Sequence, residues 1–234
     1  MPPLHEPELQ DAPAVPWRAR EGVIILIFSL LTGMFFSLLA AAMIKDKDLL
    51  RLVVTIVIEA SLAAWVLLWL RMRYGLGARA LGLRVSVQDV GIGFFGGLVG
   101  LGVTSAVSQI VDEIYRAVTD NKLKAPEQLP KSLPGGRVAL AILAVAIVAP
   151  IAEEFFFRGF LYQALRRWRG PGQAAVLSAL FFAIAHGAPV LIIAIFPLGI
   201  VLAYLFERQG SSVTATIAAH AIFNSIGLAF LLRN

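Results

Sequence analysis

Apolar residues occur in long runs along this chain, separated by shorter stretches that hold most of the charges. The runs lie at about 23–44, 52–70, 90–111, 138–165, 174–186, 190–206 and 213–232. Several have the roughly 20 residues that a helix needs to cross a hydrocarbon core of about 30 Å. A backbone in lipid must satisfy its own hydrogen bonds, so the runs are predicted to be helices. The pattern predicts an all-α, polytopic integral membrane bundle of about seven to eight transmembrane segments.

Prolines and charges mark the segments that do not enter the bundle. Residues 1–22 hold Pro2, Pro3, Pro7, Pro13 and Pro16 among mixed charges. Such a composition cannot build a core, so a flexible N-terminal leader is predicted there. The first apolar run starts too late and is too long for a cleaved signal. Residues 23–234 are therefore interpreted as one membrane domain, with 112–137 as a solvated loop rather than a lid.

The composition agrees with a membrane protein. Hydrophobic residues make up 59% of the chain and charged residues 15%, whereas a soluble domain is roughly 45–50% apolar. The net charge is +5, but the basic residues cluster between the apolar runs, which indicates a lipid bilayer rather than nucleic acid as the partner. The chain has no cysteine, so disulfides, thiolate nucleophiles and cysteine metal sites are excluded.

The basic clusters also predict the orientation in the membrane. Arginines follow the second run at positions 71, 73, 79 and 84, and the sequence Arg166-Arg167-Trp168-Arg169 follows the fourth. Both clusters lie on one side if seven segments span, and basic residues favour the cytoplasmic side. We therefore predict a multi-pass protein of the cell membrane, specifically a prokaryotic inner membrane, with its N-terminus in the cytoplasm.

One motif is discounted. Residues 91–96 match the GxGxxG dinucleotide fingerprint, but that fingerprint requires a strand that turns into a helix. Here it opens an apolar run. The small-residue pairs Gly93/Gly97 and Gly96/Gly100 instead predict that two membrane helices approach closely.

Glu59 is an isolated acid in the second apolar run, between Ile58 and Ala60. An acid within the membrane is a functional hypothesis by default. It has no evident partner on its own helix, so a structural hydrogen-bonding role is the favoured interpretation.

The remaining polar residues of the apolar runs form a candidate site. They are Glu153, Glu154 and Arg158 in the fourth run, His186 at the end of the fifth, and His220 with Asn224 in the seventh. A single membrane histidine usually serves helix packing. Two histidines and two carboxylates on three segments favour a functional site instead.

Spacing separates the roles of these residues. Glu154 and Arg158 are four apart with the acid first, which predicts an ion pair within one helix. Glu153 points about 100° away around that helix, so it is free to face another group and suits proton transfer to or from water. His220 and Asn224 are also four apart, so they can present a pair of donors to one point.

Three motifs together resemble those of a known family. Glu153-Glu154-x-x-x-Arg158, Phe182-x-x-x-His186 and His220-x-x-x-Asn224 occur in this order on successive apolar runs. They are similar to the signature motifs of the CPBP intramembrane proteases, the CAAX protease and bacteriocin-processing family also called Abi. The resemblance covers residues 138–232, and the N-terminal segments agree only in hydrophobicity.

The resemblance implies a CAAX-protease-like bundle and a membrane endopeptidase, a hydrolase that cuts a membrane-associated protein or peptide. It assigns Glu153 and His186 to activating the attacking water. It assigns His220 and Asn224 to stabilising the oxyanion, a task that requires fixed hydrogen-bond donors. The remaining motif residues would support the site; these are Glu154, Arg158 and Phe182.

A metal is the open question about cofactors. The family is often described as a metalloprotease family, and two histidines with a glutamate are common zinc ligands, which makes Glu153, His186 and His220 candidates for holding a divalent metal such as zinc. The sequence has no HExxH motif. A metal-free, glutamate-dependent mechanism uses the same residues and is favoured by a small margin.

Two other functions remain open at this point. A membrane immunity or binding protein could keep the same scaffold without proteolysis, since a fold does not guarantee its chemistry. An ion or proton carrier also uses acids and histidines within the membrane. For a peptidase, the substrate could be a prenylated protein, a leader peptide or a C-terminal sorting tail.

Overall fold

The computed structural model describes residues 15–84, 86–119, 135–187 and 189–233. Most of the predicted leader and most of the polar connection at 112–137 lie outside these ranges, so the predictions made for them stay predictions. Within the described ranges, all regular secondary structure is helical.

Eight α-helices make up the bundle as described. They are α1 Ala19–Met43, α2 Lys47–Tyr74, α3 Val87–Thr119, α4 Gly135–Ala141, α5 Ala149–Glu154, α6 Gln163–Ala185, α7 Pro189–Arg208 and α8 Val213–Arg233. A short 3-10 helix, Ala78–Leu81, follows α2. Two π-helical segments, Ile142–Val148 and Phe155–Tyr162, lie on either side of α5.

Six continuous helical stretches of the described chain are long and apolar enough to cross a membrane. The longest, Gly135–Ala185, includes α4, α5, α6 and both π-helical segments. These stretches confirm the predicted all-α, polytopic membrane bundle.

The longest stretch turns back on itself within α6. Gly170 has a φ of 79° and a ψ of 171°, which is not helical, and Pro171 follows it. Glycine reaches this φ without strain, and proline suits the start of a new helix. After the turn, Ser178 Oγ donates to Phe157 O at 3.0 Å, and the Phe182 ring lies 5.3 Å from the Phe157 ring. The second part of α6 thus runs back beside the segment that follows α5.

Glycines allow α3 to lie directly against α7 and α8. A Cβ added at Gly97 would lie 2.5 Å from Ala219 O on α8, and one at Gly96 would lie 2.9 Å from Leu205 Cδ2 on α7. The close helix packing predicted for these glycines is therefore confirmed.

The chain that leads into α1 is fixed to the segment that follows Glu154. Trp17 is 1% exposed, and its indole stacks on Phe160 with ring centroids 5.3 Å apart. The indole Nε1 also donates to Phe160 O at 2.9 Å. At the start of α1, Glu21 accepts hydrogen bonds from Trp69 and Tyr74 of α2. These contacts hold α1 and α2 against the part of the bundle that carries the candidate site.

Candidate active site

Glu153 and Glu154 lie at the end of α5, between the two π-helical segments. A π-helical turn shifts the hydrogen-bond ladder by one residue and occurs frequently at functional sites. The two glutamates have different surroundings. Glu154 is fully buried, whereas the side chain of Glu153 keeps 13% of its surface exposed.

Glu154 forms the predicted ion pair with Arg158. Arg158 Nη1 lies 2.8 Å from Glu154 Oε1, and both side chains are 0% exposed. The guanidinium also donates through Nη2 to Gly199 O at 3.1 Å and lies 4.4 Å from the centre of the Phe182 ring. A buried charge needs such a set of partners to offset its desolvation. The pair therefore joins α5 to α6 and α7.

His220 of α8 lies between the two glutamates. Its Nδ1 is 3.1 Å from Glu154 Oε1, and its Nε2 is 3.9 Å from Glu153 Oε2. A carboxylate paired with Arg158 accepts hydrogen bonds, so His220 Nδ1 carries a proton and donates it. The second nitrogen is thereby held close to the more accessible glutamate.

His186 follows directly after α6, where the helix ends at Ala185 and Gly187 has a φ of 84°. Its Nδ1 lies 2.9 Å from Phe182 O. A carbonyl oxygen only accepts, so Nδ1 carries the proton, and Nε2 of the neutral ring can accept one.

Phe182 is the shared support of both histidines. Its ring centroid lies 5.0 Å from that of His186 and 5.5 Å from that of His220, both in edge contacts. The ring is 0% exposed. It therefore fixes the positions of both imidazoles through packing.

Glu153 and His186 line one cavity of about 210 Å³. Its other walls are mostly apolar and are formed by Leu26, Ser29, Leu30, Ile58, Glu59, Leu62, Phe157 and Ala185. Glu59 of α2 thus faces the same space as the acid of the first motif. Sequence reasoning missed this, because the contact joins different helices; the only signal was an acid within the membrane.

Two carboxylate oxygens at this cavity lack a hydrogen-bond partner within the described part of the chain. Glu59 Oε2 and Glu153 Oε2 are both buried without a hydrogen bond. Buried polar atoms are nearly always hydrogen-bonded. Unpaired oxygens on the wall of a cavity are suited to receive a water or a substrate group.

Asn224 is anchored to the backbone of another helical segment. Its side-chain Nδ2 donates to Val145 O at 2.8 Å, in the π-helical segment Ile142–Val148. This bond fastens α8 to the segment before Glu153. His220 and Asn224 are not among the lining residues of the small cavity.

A larger cavity of about 720 Å³ lies between α1 and α6. Its lining is apolar except for Arg20, Arg169 and Gln173. Leu26, Phe157 and Ala185 line both cavities, so the larger one adjoins the small one.

The candidate metal ligands do not form a metal site as arranged. No group of three or more histidine and acidic side chains that could hold a metal ion occurs in the ranges given above. Of the three candidates, Glu153 and His186 line the small cavity, whereas His220 does not. We therefore derive no catalytic step through a metal.

Comparison with known proteins agrees with the motif region. Residues 135–226 match the family model described as type II CAAX prenyl endopeptidase Rce1-like. The UPF0177 protein YaiF of Lactococcus lactis subsp. lactis (strain IL1403) is 32% identical over 111 residues, which is 47% of each chain. The chain thus spans about half the length of this curated relative. No solved structure matches.

These matches confirm the resemblance predicted from the three motifs. With the six long apolar helices of the described chain, they support a multi-pass membrane protein. The alternative of a non-proteolytic immunity protein gains no support from them.

Proposed function

We propose that this chain is an intramembrane endopeptidase that hydrolyses a peptide bond of a membrane-associated protein or peptide. The observation that carries the proposal is the placement of Glu153 and His186 on one cavity, with His220 Nε2 3.9 Å from the Glu153 carboxylate. This arrangement supports an acyl-transfer site. Such a site needs groups that exchange protons and a group that donates a hydrogen bond, and here they would come from three helical segments.

Water activation is assigned to Glu153 and His186. Glu153 Oε2 is buried and unpaired at the cavity, so it can take a proton from a water placed there. His186 has its Nδ1 proton committed to Phe182 O, which leaves Nε2 to hold the same water. The oxygen of that water then attacks the carbonyl carbon of the substrate.

Stabilisation of the oxyanion is assigned to His220 and Asn224. When the His220 ring carries both protons, Nδ1 is held by Glu154 and Nε2–H is free to donate to the oxyanion. The Asn224 amide uses one N–H on Val145 O, and its other N–H remains for the same task. Donors fixed in a dry site are effective because they need no reorganisation during the reaction.

The remaining motif residues position this machinery. Glu154 holds His220, Arg158 neutralises Glu154, and Phe182 packs against both histidines. The larger, apolar cavity between α1 and α6 is the proposed approach for an apolar part of the substrate, since it adjoins the cavity of Glu153.

The test compares membrane proteomes of cells that carry the wild type or Glu153→Gln. We expect precursors to accumulate uncleaved in the variant, and their sequences would identify the substrate among prenylated proteins, leader peptides and sorting tails. Glu113→Gln, the same change on the exposed side of α3, is the matched control and is expected to process normally. Normal processing by a folded Glu153→Gln protein would refute the proposal and favour an immunity or binding protein.

A further inference from the structure

We infer that Glu59 is a further catalytic residue of the proposed endopeptidase: it donates the proton that the leaving amine needs, while Glu153 takes the proton of the attacking water. This inference rests on the proposed function. It adds a second carboxyl group, from α2, to a reaction whose motif residues all lie beyond residue 152.

The placement of Glu59 supports the assignment. It lines the same cavity of about 210 Å³ as Glu153 and His186. Both glutamates face this space, although they lie on different helices. A water or a scissile bond placed in this cavity beside Glu153 would therefore also lie in the space that Glu59 faces.

A purely structural role leaves the carboxyl group of Glu59 unexplained. Its Oε2 is buried and has no hydrogen bond within the described residues. Ser29 on the same cavity wall donates its hydroxyl to Ile25 O at 2.7 Å, so it is not the missing partner. An acid kept only for helix packing would be expected to have a partner, because an unpaired buried polar group is costly.

Charge balance separates the roles of the two carboxyl groups. Arg158, the buried cation of this region, is paired with Glu154. His220 bonds Glu154 and lies 3.9 Å from Glu153, and His186 lines the cavity together with Glu59 and Glu153. Two carboxylates in one apolar space repel each other, so one of them holds a proton while the other is ionised. A pair of carboxyl groups in unlike states provides an acid and a base for one reaction.

Glu153 is assigned the base and Glu59 the acid. Glu153 lies 3.9 Å from His220 Nε2, whose positive form favours an ionised carboxylate. Glu59 is surrounded by apolar neighbours such as Ile58 and Leu62, which favour the neutral acid.

The proposed step balances. The water oxygen bonds to the carbonyl carbon as Glu153 accepts one water proton. The carbon–nitrogen bond then breaks, and the nitrogen takes the proton of Glu59. The products are a carboxyl group and an amine, and the proton on Glu153 passes to Glu59 within the shared cavity to restore the starting state. No further reactant is needed.

The activity test uses the peptide identified by the Glu153→Gln comparison as substrate for purified protein in vesicles. Glu59→Gln keeps the shape but cannot give up a proton, so kcat is expected to fall by about 10²- to 10⁴-fold with little change in KM. Glu59→Asp is expected to recover part of the rate, and Glu113→Gln is expected to keep all of it. Full activity of Glu59→Gln beside an inactive Glu153→Gln would overturn the role of Glu59 alone. Full activity of both purified variants would show that the precursors accumulated in cells for another reason, and would overturn the proposed function.

A second measurement does not depend on activity. The infrared spectrum of the purified protein at neutral pH should contain the carbonyl stretch of a protonated carboxyl group. We expect this band to disappear in Glu59→Gln and to persist in Glu113→Gln. A wild-type spectrum without the band, or an unchanged band in Glu59→Gln, would overturn the inference even if the variant had lost activity through misfolding.

Discussion

His220 Nδ1 lies 3.1 Å from Glu154 Oε1, although the two residues are 66 positions apart in the chain. The same oxygen accepts the hydrogen bond of Arg158 Nη1 at 2.8 Å. One buried atom therefore joins α8 to α5 and to the helical segment that follows it. The carboxylate of Glu154 thus holds His220 and Arg158 in position, although Glu154 itself has no role in the proposed reaction.

Removal of the cation next to Glu154 is expected to destabilise the fold. Arg158→Met leaves a buried carboxylate without its charge partner, which should lower the free energy of unfolding by about 3–5 kcal/mol. Unfolding in mixed micelles would measure it. Arg116→Met is the control: it removes an ion pair with Asp112 in which the arginine side chain is 49% exposed. Its loss should lower the free energy of unfolding by only about 0–1 kcal/mol. Equal losses in the two variants would contradict the role given to the buried pair, and the double variant Glu154→Gln/Arg158→Met should recover part of the loss.

Removal of the imidazole that faces Glu153 is expected to affect the reaction rather than substrate binding. His220→Ala deletes a proposed oxyanion donor, so kcat should fall by about 10²- to 10³-fold while KM changes little. Steady-state cleavage of the identified peptide would measure both constants. Thr216→Val changes a buried residue one turn earlier on α8 and should keep the activity. A rise in KM at unchanged kcat would contradict the assignment.

Local spacing was sufficient to predict part of this site. The ion pair of Glu154 with Arg158 depends only on an i, i+4 relation within a helix, and the sequence shows that relation directly. The long apolar runs likewise predicted the helices, because lipid leaves the backbone few other solutions. The exclusion of a dinucleotide site at residues 91–96 followed from the same context.

Contacts between helices could not be predicted. The bond of His220 to Glu154, that of Asn224 to Val145 O, and the position of Glu59 beside Glu153 all depend on how helices distant in sequence pack. Helix packing depends on the shapes of whole helix surfaces, and a single sequence does not show which of these surfaces meet. The sequence therefore favours a structural role for Glu59, and it contains no sign of the bond from Asn224 to Val145 O.

The close approach of α3 and α8 is expected to tolerate no added methyl group at its centre. In Gly97→Ala, the new Cβ would lie 2.5 Å from Ala219 O, and relieving that clash should cost about 1–3 kcal/mol. Gly102→Ala adds the same group to the same helix with no atom within 4 Å, and should be neutral or stabilising by about 0.4–1 kcal/mol. Unfolding experiments on both variants would test this, and equal stabilities would contradict the packing described.

The predicted orientation can be tested because the chain contains no cysteine. Lys45 between α1 and α2 and Arg79 between α2 and α3 are exposed and lie at opposite ends of α2. With a cytoplasmic N-terminus, a membrane-impermeant maleimide added to intact cells should label Lys45→Cys and leave Arg79→Cys unlabelled until the membrane is opened. The reverse labelling pattern would place the N-terminus outside.

Removal of metal is expected to leave the proposed reaction unchanged. No three histidine or acidic side chains of the described chain are grouped as metal ligands, and His220 does not line the cavity that Glu153 and His186 share. Cleavage of the identified peptide by purified protein should therefore proceed at the same rate after treatment with 1,10-phenanthroline, with a known zinc peptidase inhibited in parallel as the control. If activity disappears and returns with one equivalent of zinc, water activation by Glu153 and His186 alone is wrong. The bundle would then have to rearrange on metal binding to bring His220 into a ligand set with Glu153 and His186. Zinc would in that case raise the free energy of unfolding of the wild type but not that of His220→Ala.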